Sequence, residues 1–326
     1  MNNLPGERVL PMLLITVFDM PEEQIARIKK ITGMPVYVDP NLKKQDAPLD
    51  KIEILITYGL ENINADLLDR MPALKWIQVF QTGVEHIPLS EVHDRGILLT
   101  NVKGLYGKPM SEYVMSIVLY ITRDIPRFVR NQKLHRYERE ELVDEVNGKT
   151  MGIFGTGMIG QEVAKKAKAF DMKVLGFNTS GRPVPSFDAV YTWDSKEEML
   201  QQCDFIVLLL PETEQTRNFI SDKELKLMKN DAYLINIGRG PLVDENALIC
   251  SLTKGEIRGA ALDVFDIEPL PENSPLWDVD NILITPHLSG KSVRFFGRCI
   301  DIFESNFYAY QKEKEMKFQV DPDRGY

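Results

Sequence analysis

The chain is poor in cysteine, histidine and positive charge. Cysteine occurs three times in 326 residues, as Cys203, Cys250 and Cys299. An odd count at wide spacing, with no C-x-x-C, argues against a disulfide framework or a zinc site. It points instead to a reducing compartment, so a cytoplasmic location is expected. There are four histidines, and none belongs to a set with metal-ligand spacing, so no metal is expected. Lys and Arg number 39 against 48 Asp and Glu, a net charge of −9. An acidic surface repels phosphate backbones, which disfavours a nucleic-acid partner while leaving room for a local anion pocket. Long apolar runs are also missing. The longest uncharged stretch near the start, residues 9–18, lies between Arg8 and Asp19. It is too short to cross a bilayer and no cleavage site follows it, so it reads as a first buried strand, with no membrane partner expected. Short-period repeats and low-complexity tracts are absent.

What remains is an ordinary globular composition, 44% apolar and 27% charged, with length for about two domains. The first hundred residues alternate strand-like runs (12–18, 35–38, 52–57, 74–80, 97–102) with helical spacing at 21–31 and 64–71. A strong helix is predicted over 111–123, with Ser111 as N-cap and Pro126 as stop. Residues 136–148 are charged and irregular, a solvated surface. A second alternation then begins, with strands expected at 150–154, 172–177, 205–210, 232–237, 260–264 and 282–285. This pattern predicts an α/β protein with two doubly wound parallel sheets. In the stretch 291–316, Phe296, Ile300, Phe303 and Phe307 share a helical stripe. That helix either packs back on the first domain or covers its own.

The segment Gly155-Thr156-Gly157-Met158-Ile159-Gly160 is a G-x-G-x-x-G between a predicted strand and a predicted helix. Gly155 permits the tight turn, Gly157 lets backbone approach a pyrophosphate, and Gly160 lets the helix pack closely. The helix N-terminus faces the anion. The end of the next strand selects the cofactor. A carboxylate there would bind the ribose of NAD, but the chain has Asn178, then Thr179, Ser180, Gly181 and Arg182. Two hydroxyls and a guanidinium suit a 2′-phosphate, so NADP is favoured over NAD. The alternative is Asn178 on the ribose of NAD, with Arg182 solvated.

Three polar residues follow predicted strands of the second domain: Arg239 between Gly238 and Gly240, Glu268 before Pro269, and His287 after Thr285-Pro286. Doubly wound sheets bind ligands at the carboxyl ends of their strands. Arginine clamps carboxylates, imidazole transfers protons near neutral pH, and a neighbouring carboxylate orients the ring. Singly each is an ordinary surface residue, but together they form a candidate site. His86 lies near a predicted loop of the first domain; His93 and His135 read as surface residues.

At this point the chain resembles the D-isomer-specific 2-hydroxyacid dehydrogenases. The resemblance rests on Thr82-Gly83-Val84-Glu85-His86-Ile87, Thr100-Asn101 with Gly104, Ser111-Glu112, Gly148-Lys149 and the glycine loop. It continues through Leu210-Pro211 with Thr213 and Thr216, Ile235 to Gly240 with Val243-Asp244-Glu245, residues 259–265, Glu268-Pro269 and Thr285-Pro286-His287. It implies a Rossmann cofactor domain, 104–291, inserted into a flavodoxin-like substrate domain made of 1–103 and 292–326. It implies hydride transfer between NAD(P)H and a small 2-oxo acid, with Arg239 holding the substrate, His287 as acid/base and Glu268 as its partner. Asp263 would bind the nicotinamide carboxamide, and Leu210, Pro211, Thr216, Ile237 and Gly238 would line the cofactor. Gly83, Val84, Tyr58 and Gly59 would meet the substrate, with Glu85, His86, Leu105 and Tyr106 shaping the pocket. A homodimer is the family expectation. Three positions depart from the pattern: Asn178, Glu212 after Pro211, and Ser111 where alanine is common. The alternative function is a corepressor-like binding protein that keeps the same three polar residues. A formate- or phosphite-type enzyme is disfavoured by Glu268.

Overall fold

The computed structural model describes residues 11–44, 47–60, 63–84 and 86–321. Glu85, named above as a pocket residue, and the first two residues of the 9–18 run lie outside these. The chain divides into two compact units. The first takes the residues up to Leu105 and those from Ser292 onward, and the second runs from Tyr106 to Lys291.

The first unit carries strands β1 (Met12–Ile15), β2 (Val36–Val38), β3 (Ile52–Thr57), β4 (Trp76–Val79) and β5 (Leu98–Thr100), with helices α1 (Glu22–Thr32), α2 (Ala65–Asp69) and α3 (Leu89–Asp94). All pairs are parallel in the order β2-β1-β3-β4-β5, the flavodoxin-like order. Strands β3 and β4 are almost wholly buried, which is why they read as mostly apolar runs, broken by Glu53, Thr57 and Gln78, rather than as alternating ones. The helix Phe295–Gln311 packs on this sheet: Phe303 stacks on Trp76 at 5.2 Å, both fully buried, and Arg27 of α1 pairs with Asp301 and Glu304. A buried polar chain joins the same parts. Trp76 Nε1 donates to Thr100, Thr100 to Gln78 Oε1, and Asn306 Nδ2 to Gln78 and to the Lys317 carbonyl. Beyond the helix, residues 318–320 hydrogen-bond antiparallel to β5 and cover its edge.

The second unit opens with helices α4 (Gly107–Thr122) and α5 (Ile125–Lys133). Then come β6 (Thr150–Phe154), α6 (Met158–Ala169), β7 (Lys173–Phe177), β8 (Ala189–Tyr191), α7 (Lys196–Gln202), β9 (Phe205–Leu208), α8 (Asp222–Leu227), β10 (Tyr233–Asn236), α9 (Glu245–Lys254), β11 (Gly259–Leu262) and β12 (Ile282–Ile284). Its seven strands are parallel in the order β12-β11-β10-β9-β6-β7-β8. Counted from β6 this is 3-2-1-4-5 and onward, the doubly wound dinucleotide-binding topology.

Two expectations about α4 need correction. Ser111 is not an N-cap: the helix begins a turn earlier, at Gly107, and the Ser111 hydroxyl donates back to the Lys108 carbonyl. Pro126 does not stop this helix either. It sits in the first turn of α5, where its missing N–H is harmless. The three-residue edge strand β8 was not foreseen: Ala189-Val190-Tyr191 is apolar but short and partly exposed, with Asp188 and Thr192 on either side.

Candidate active site

The strand order of the second unit lines up the candidate residues along one sheet edge. From β12 inward come His287, then Asp263 and Glu268 after β11, Arg239 after β10, Leu210-Pro211 after β9, the glycine loop after β6 and Asn178 after β7.

The glycine loop has the geometry its sequence requires. Gly155 takes φ +116 and packs against the Leu209 carbonyl. A Cβ on Gly160 would lie 2.0 Å from the Gly155 carbonyl oxygen, so only glycine lets α6 start this close to the turn. Gly157 is the N-cap of α6, with no side chain capping the helix and nothing within 4 Å of its Cβ direction. Free N–H groups at the start of a 12-residue helix beside an open glycine fit a pyrophosphate. Met158 is exposed and Ile159 half-buried at the helix start.

After β7, the Asn178 amide donates to the Thr156 hydroxyl and the Arg182 carbonyl, and its oxygen accepts from the Ser180 N–H. The side chain is thus spent folding the 178–182 turn. Thr179, Ser180 and Arg182 are left exposed. After β9, the Thr216 hydroxyl donates to the Pro211 carbonyl at 2.7 Å and accepts from the Thr213 N–H. It is buried and fixes the Leu210-Pro211 bend from behind. Glu212 pairs with Arg217.

After β10, buried Asn236 donates to the Arg239 carbonyl and accepts from the Gly238 N–H, holding the bend that projects Arg239. Ile237 is buried beneath it. Arg239 is exposed, and its Nη1 donates to the Gly238 carbonyl. A Cβ on Gly240 would fall 2.0 Å from the Phe265 carbonyl, so this glycine lets the loops after β10 and β11 touch. On that second loop, Glu268 Oε1 accepts from the Phe265 N–H, and Oε2 lies 2.7 Å from His287 Nδ1.

His287 stands at φ +52, a left-handed conformation costing a non-glycine residue roughly 1–2 kcal/mol. Asp263 over-determines it. Its carbonyl accepts from the His287 N–H, and its fully buried carboxylate accepts from the Leu288 and Ser289 N–H groups and the Thr285 hydroxyl. The Asp263 carboxylate thus grips residues 285–289. Tyr113 of α4 reaches Thr285 Oγ1 at 2.6 Å. Sequence reasoning passed over Asn236, Thr285 and Tyr113 as site residues. A polar residue inside the apolar run Ile235-Asn236-Ile237 was a readable signal, whereas nothing in sequence joins Tyr113 to Thr285.

The first unit holds the remaining candidates. The Tyr58-Gly59 turn follows β3, with Gly59 at φ +75 and its N–H on the Thr57 hydroxyl. Phe18, beyond β1, packs on Tyr58 at 4.9 Å. Gly83 is half-buried and Val84 buried after β4, where Asn101 Nδ2 donates to the Thr82 carbonyl. His86 is exposed and Leu105 buried. Among the described residues no helix is long and apolar enough to cross a membrane, and no group of three or more His, Cys, Asp or Glu is placed to hold a metal.

Comparison with known proteins agrees with this architecture. The family described as "D-isomer specific 2-hydroxyacid dehydrogenase, NAD binding domain" matches residues 115–289. A glyoxylate reductase of Thermococcus litoralis is 33% identical over 313 residues, covering 93% of this chain and 94% of the relative. A D-isomer specific 2-hydroxyacid dehydrogenase family protein from Aeromonas salmonicida superposes with a TM-score of 0.81 at 32% identity, covering 96% of this chain and all of the other. An NADPH-dependent glyoxylate/hydroxypyruvate reductase from Sinorhizobium meliloti, solved with NADP and sulfate, gives 0.76 at 28% identity, covering 97% and 100%. The chain belongs to the D-isomer specific 2-hydroxyacid dehydrogenase family. It is an NAD(P)-dependent oxidoreductase that interconverts a 2-oxo acid and its 2-hydroxy acid, and the corepressor alternative is not favoured.

Proposed function

We propose that the enzyme reduces small 2-oxo acids, glyoxylate and hydroxypyruvate foremost, with NADPH preferred over NADH. The observation that carries the reading is the 2.7 Å His287–Glu268 pair at the sheet edge shared with Arg239. Held by the glycine loop and the turn after β7, a nicotinamide cofactor would supply the hydride for C2 of the substrate. Arg239 holds the substrate carboxylate, a task for which its planar donor fork is suited. With Nδ1 on Glu268, the imidazole has Nε2 left to give a proton to the carbonyl oxygen, and to take it back in the oxidative direction. Glu268 is itself fixed by the Phe265 N–H, so the ring is held in one orientation. In the first unit, the Gly83 and Val84 amides and the Tyr58-Gly59 turn are assigned to the substrate.

NADPH preference is supported by the exposed Thr179, Ser180 and Arg182 and by the absence of a carboxylate from the turn after β7. The substrate class is supported by the names of the two reductases above. Self-association into a homodimer is supported by Ile125, Phe128, Val129 and Leu134, exposed along and just after α5. A cytoplasmic location is supported by three free cysteines.

The test is a panel of 2-oxo acids with NADH and NADPH, followed at the nicotinamide absorbance. The highest kcat/KM is expected for glyoxylate or hydroxypyruvate with NADPH. A preference for branched 2-oxo acids, or for NADH, would overturn the corresponding part. Light scattering checks the dimer.

A further inference from the structure

The assignment of His287 as acid/base leaves open how its strained backbone is kept in place, and the answer extends outside the sheet edge. Thr285 Oγ1 lies 2.6 Å from Asp263 Oδ1 and 2.6 Å from the Tyr113 hydroxyl. A threonine hydroxyl has one proton, and the carboxylate takes it. Tyr113 is therefore the donor to Thr285, and the chain runs Tyr113 O–H to Thr285 O–H to Asp263. Its far end is the set of three successive backbone donors, His287, Leu288 and Ser289, that Asp263 holds.

We propose that Tyr113 is a positioning residue for the acid/base step, fixing the Thr285–Asp263 clamp that holds His287 in its left-handed conformation. This rests on the reading of His287 given above. Burial pushes the Tyr113 phenol up to about 12, and the Asp263 charge adds to the effect. The donor thus persists across the whole working pH range. Tyr113 does not belong to the sheet that carries the other candidates. It comes from α4, so the clamp is closed by an element outside the loops it restrains.

The experiment uses the full chain and four variants: Tyr113→Phe, Thr285→Val, the double variant and His287→Gln. Each is assayed with glyoxylate and NADPH, with NADPH affinity measured by fluorescence and melting by circular dichroism. Tyr113→Phe is expected to lower kcat about tenfold while leaving KM for glyoxylate and the NADPH Kd within twofold. The double variant is expected to be no worse than Thr285→Val alone, because linked groups are non-additive. The proposal is overturned if Tyr113→Phe keeps kcat within twofold, if it lowers only the melting temperature, or if the two penalties multiply. Full turnover in His287→Gln would overturn both this and the acid/base assignment. Loss in His287→Gln with an unaffected Tyr113→Phe would overturn this one alone.

Discussion

Glycines and one imidazole set the tolerances of this site. Gly240→Ala would place a methyl 2.0 Å from the Phe265 carbonyl, with backbone on both sides of the contact. Overpacking of this kind costs about 1–3 kcal/mol, so the variant should unfold at lower urea and lose kcat/KM as Arg239 is displaced. His287→Gln should lose on the order of 10²–10⁴ in kcat, the usual range for a general acid/base, while NADPH titration stays normal. Arg182→Ala should raise KM for NADPH about tenfold, or about 1.4 kcal/mol, and leave NADH unchanged; equal effects on both cofactors would remove the 2′-phosphate assignment. At this scale the sequence was most readable where backbone geometry restricts the residue type. The glycine loop could be named from spacing because only glycine tolerates φ +116 at 155 and the contact at 160. The Asp263 clamp was not readable, since its partners are mostly backbone N–H groups, which every sequence contains.

Elements tell a similar story with different errors. Buried strands such as β3, β6 and β9 announced themselves as apolar runs, while β8, with three partly exposed residues, was too short to stand out from a loop. Helix ends were the weak point. Ser111 resembles a cap, but a loop-favouring residue is tolerated inside α4 where its hydroxyl bonds the preceding turn and Lys166 of α6 donates to it at 2.7 Å. A cap that does form is Ser221 before α8, which exchanges hydrogen bonds with Glu224. Burial pushes the Glu224 carboxyl up, but donors from Ser221 and Lys196 outweigh it and hold the group below the usual carboxylate range. The native state therefore binds fewer protons here than the unfolded chain does. The stabilisation is present above about pH 4.3, the ordinary glutamate value, and is lost as pH falls through the lowered folded value. Glu224→Gln should melt well below wild type at pH 6, with the gap closing toward pH 3 in thermal scans.

For the whole molecule, the seven-stranded unit is continuous in sequence and has its own buried clusters. A fragment of residues 106–291 should fold alone, with a cooperative melt and NADPH binding detectable by fluorescence, but without turnover. The five-stranded unit is assembled from two distant stretches of chain. The sequence left two destinations for the 291–316 helix because an apolar stripe does not name its partner. The structure seats Phe303 on Trp76 and Asn306 beside Gln78.

That arrangement has a consequence in time. During synthesis the five strands of the first sheet emerge early, while the helix that covers Trp76 emerges nearly two hundred residues later. At roughly 5–20 residues per second the delay is about 10–40 s, the time in which the seven-stranded unit is itself being synthesised. Until then the nascent chain carries an uncovered apolar sheet face and an unprotected β5 edge. A chaperone that binds exposed apolar strands would find its substrate in this window, and a ribosome stalled between residues 105 and 292 would leave the window open.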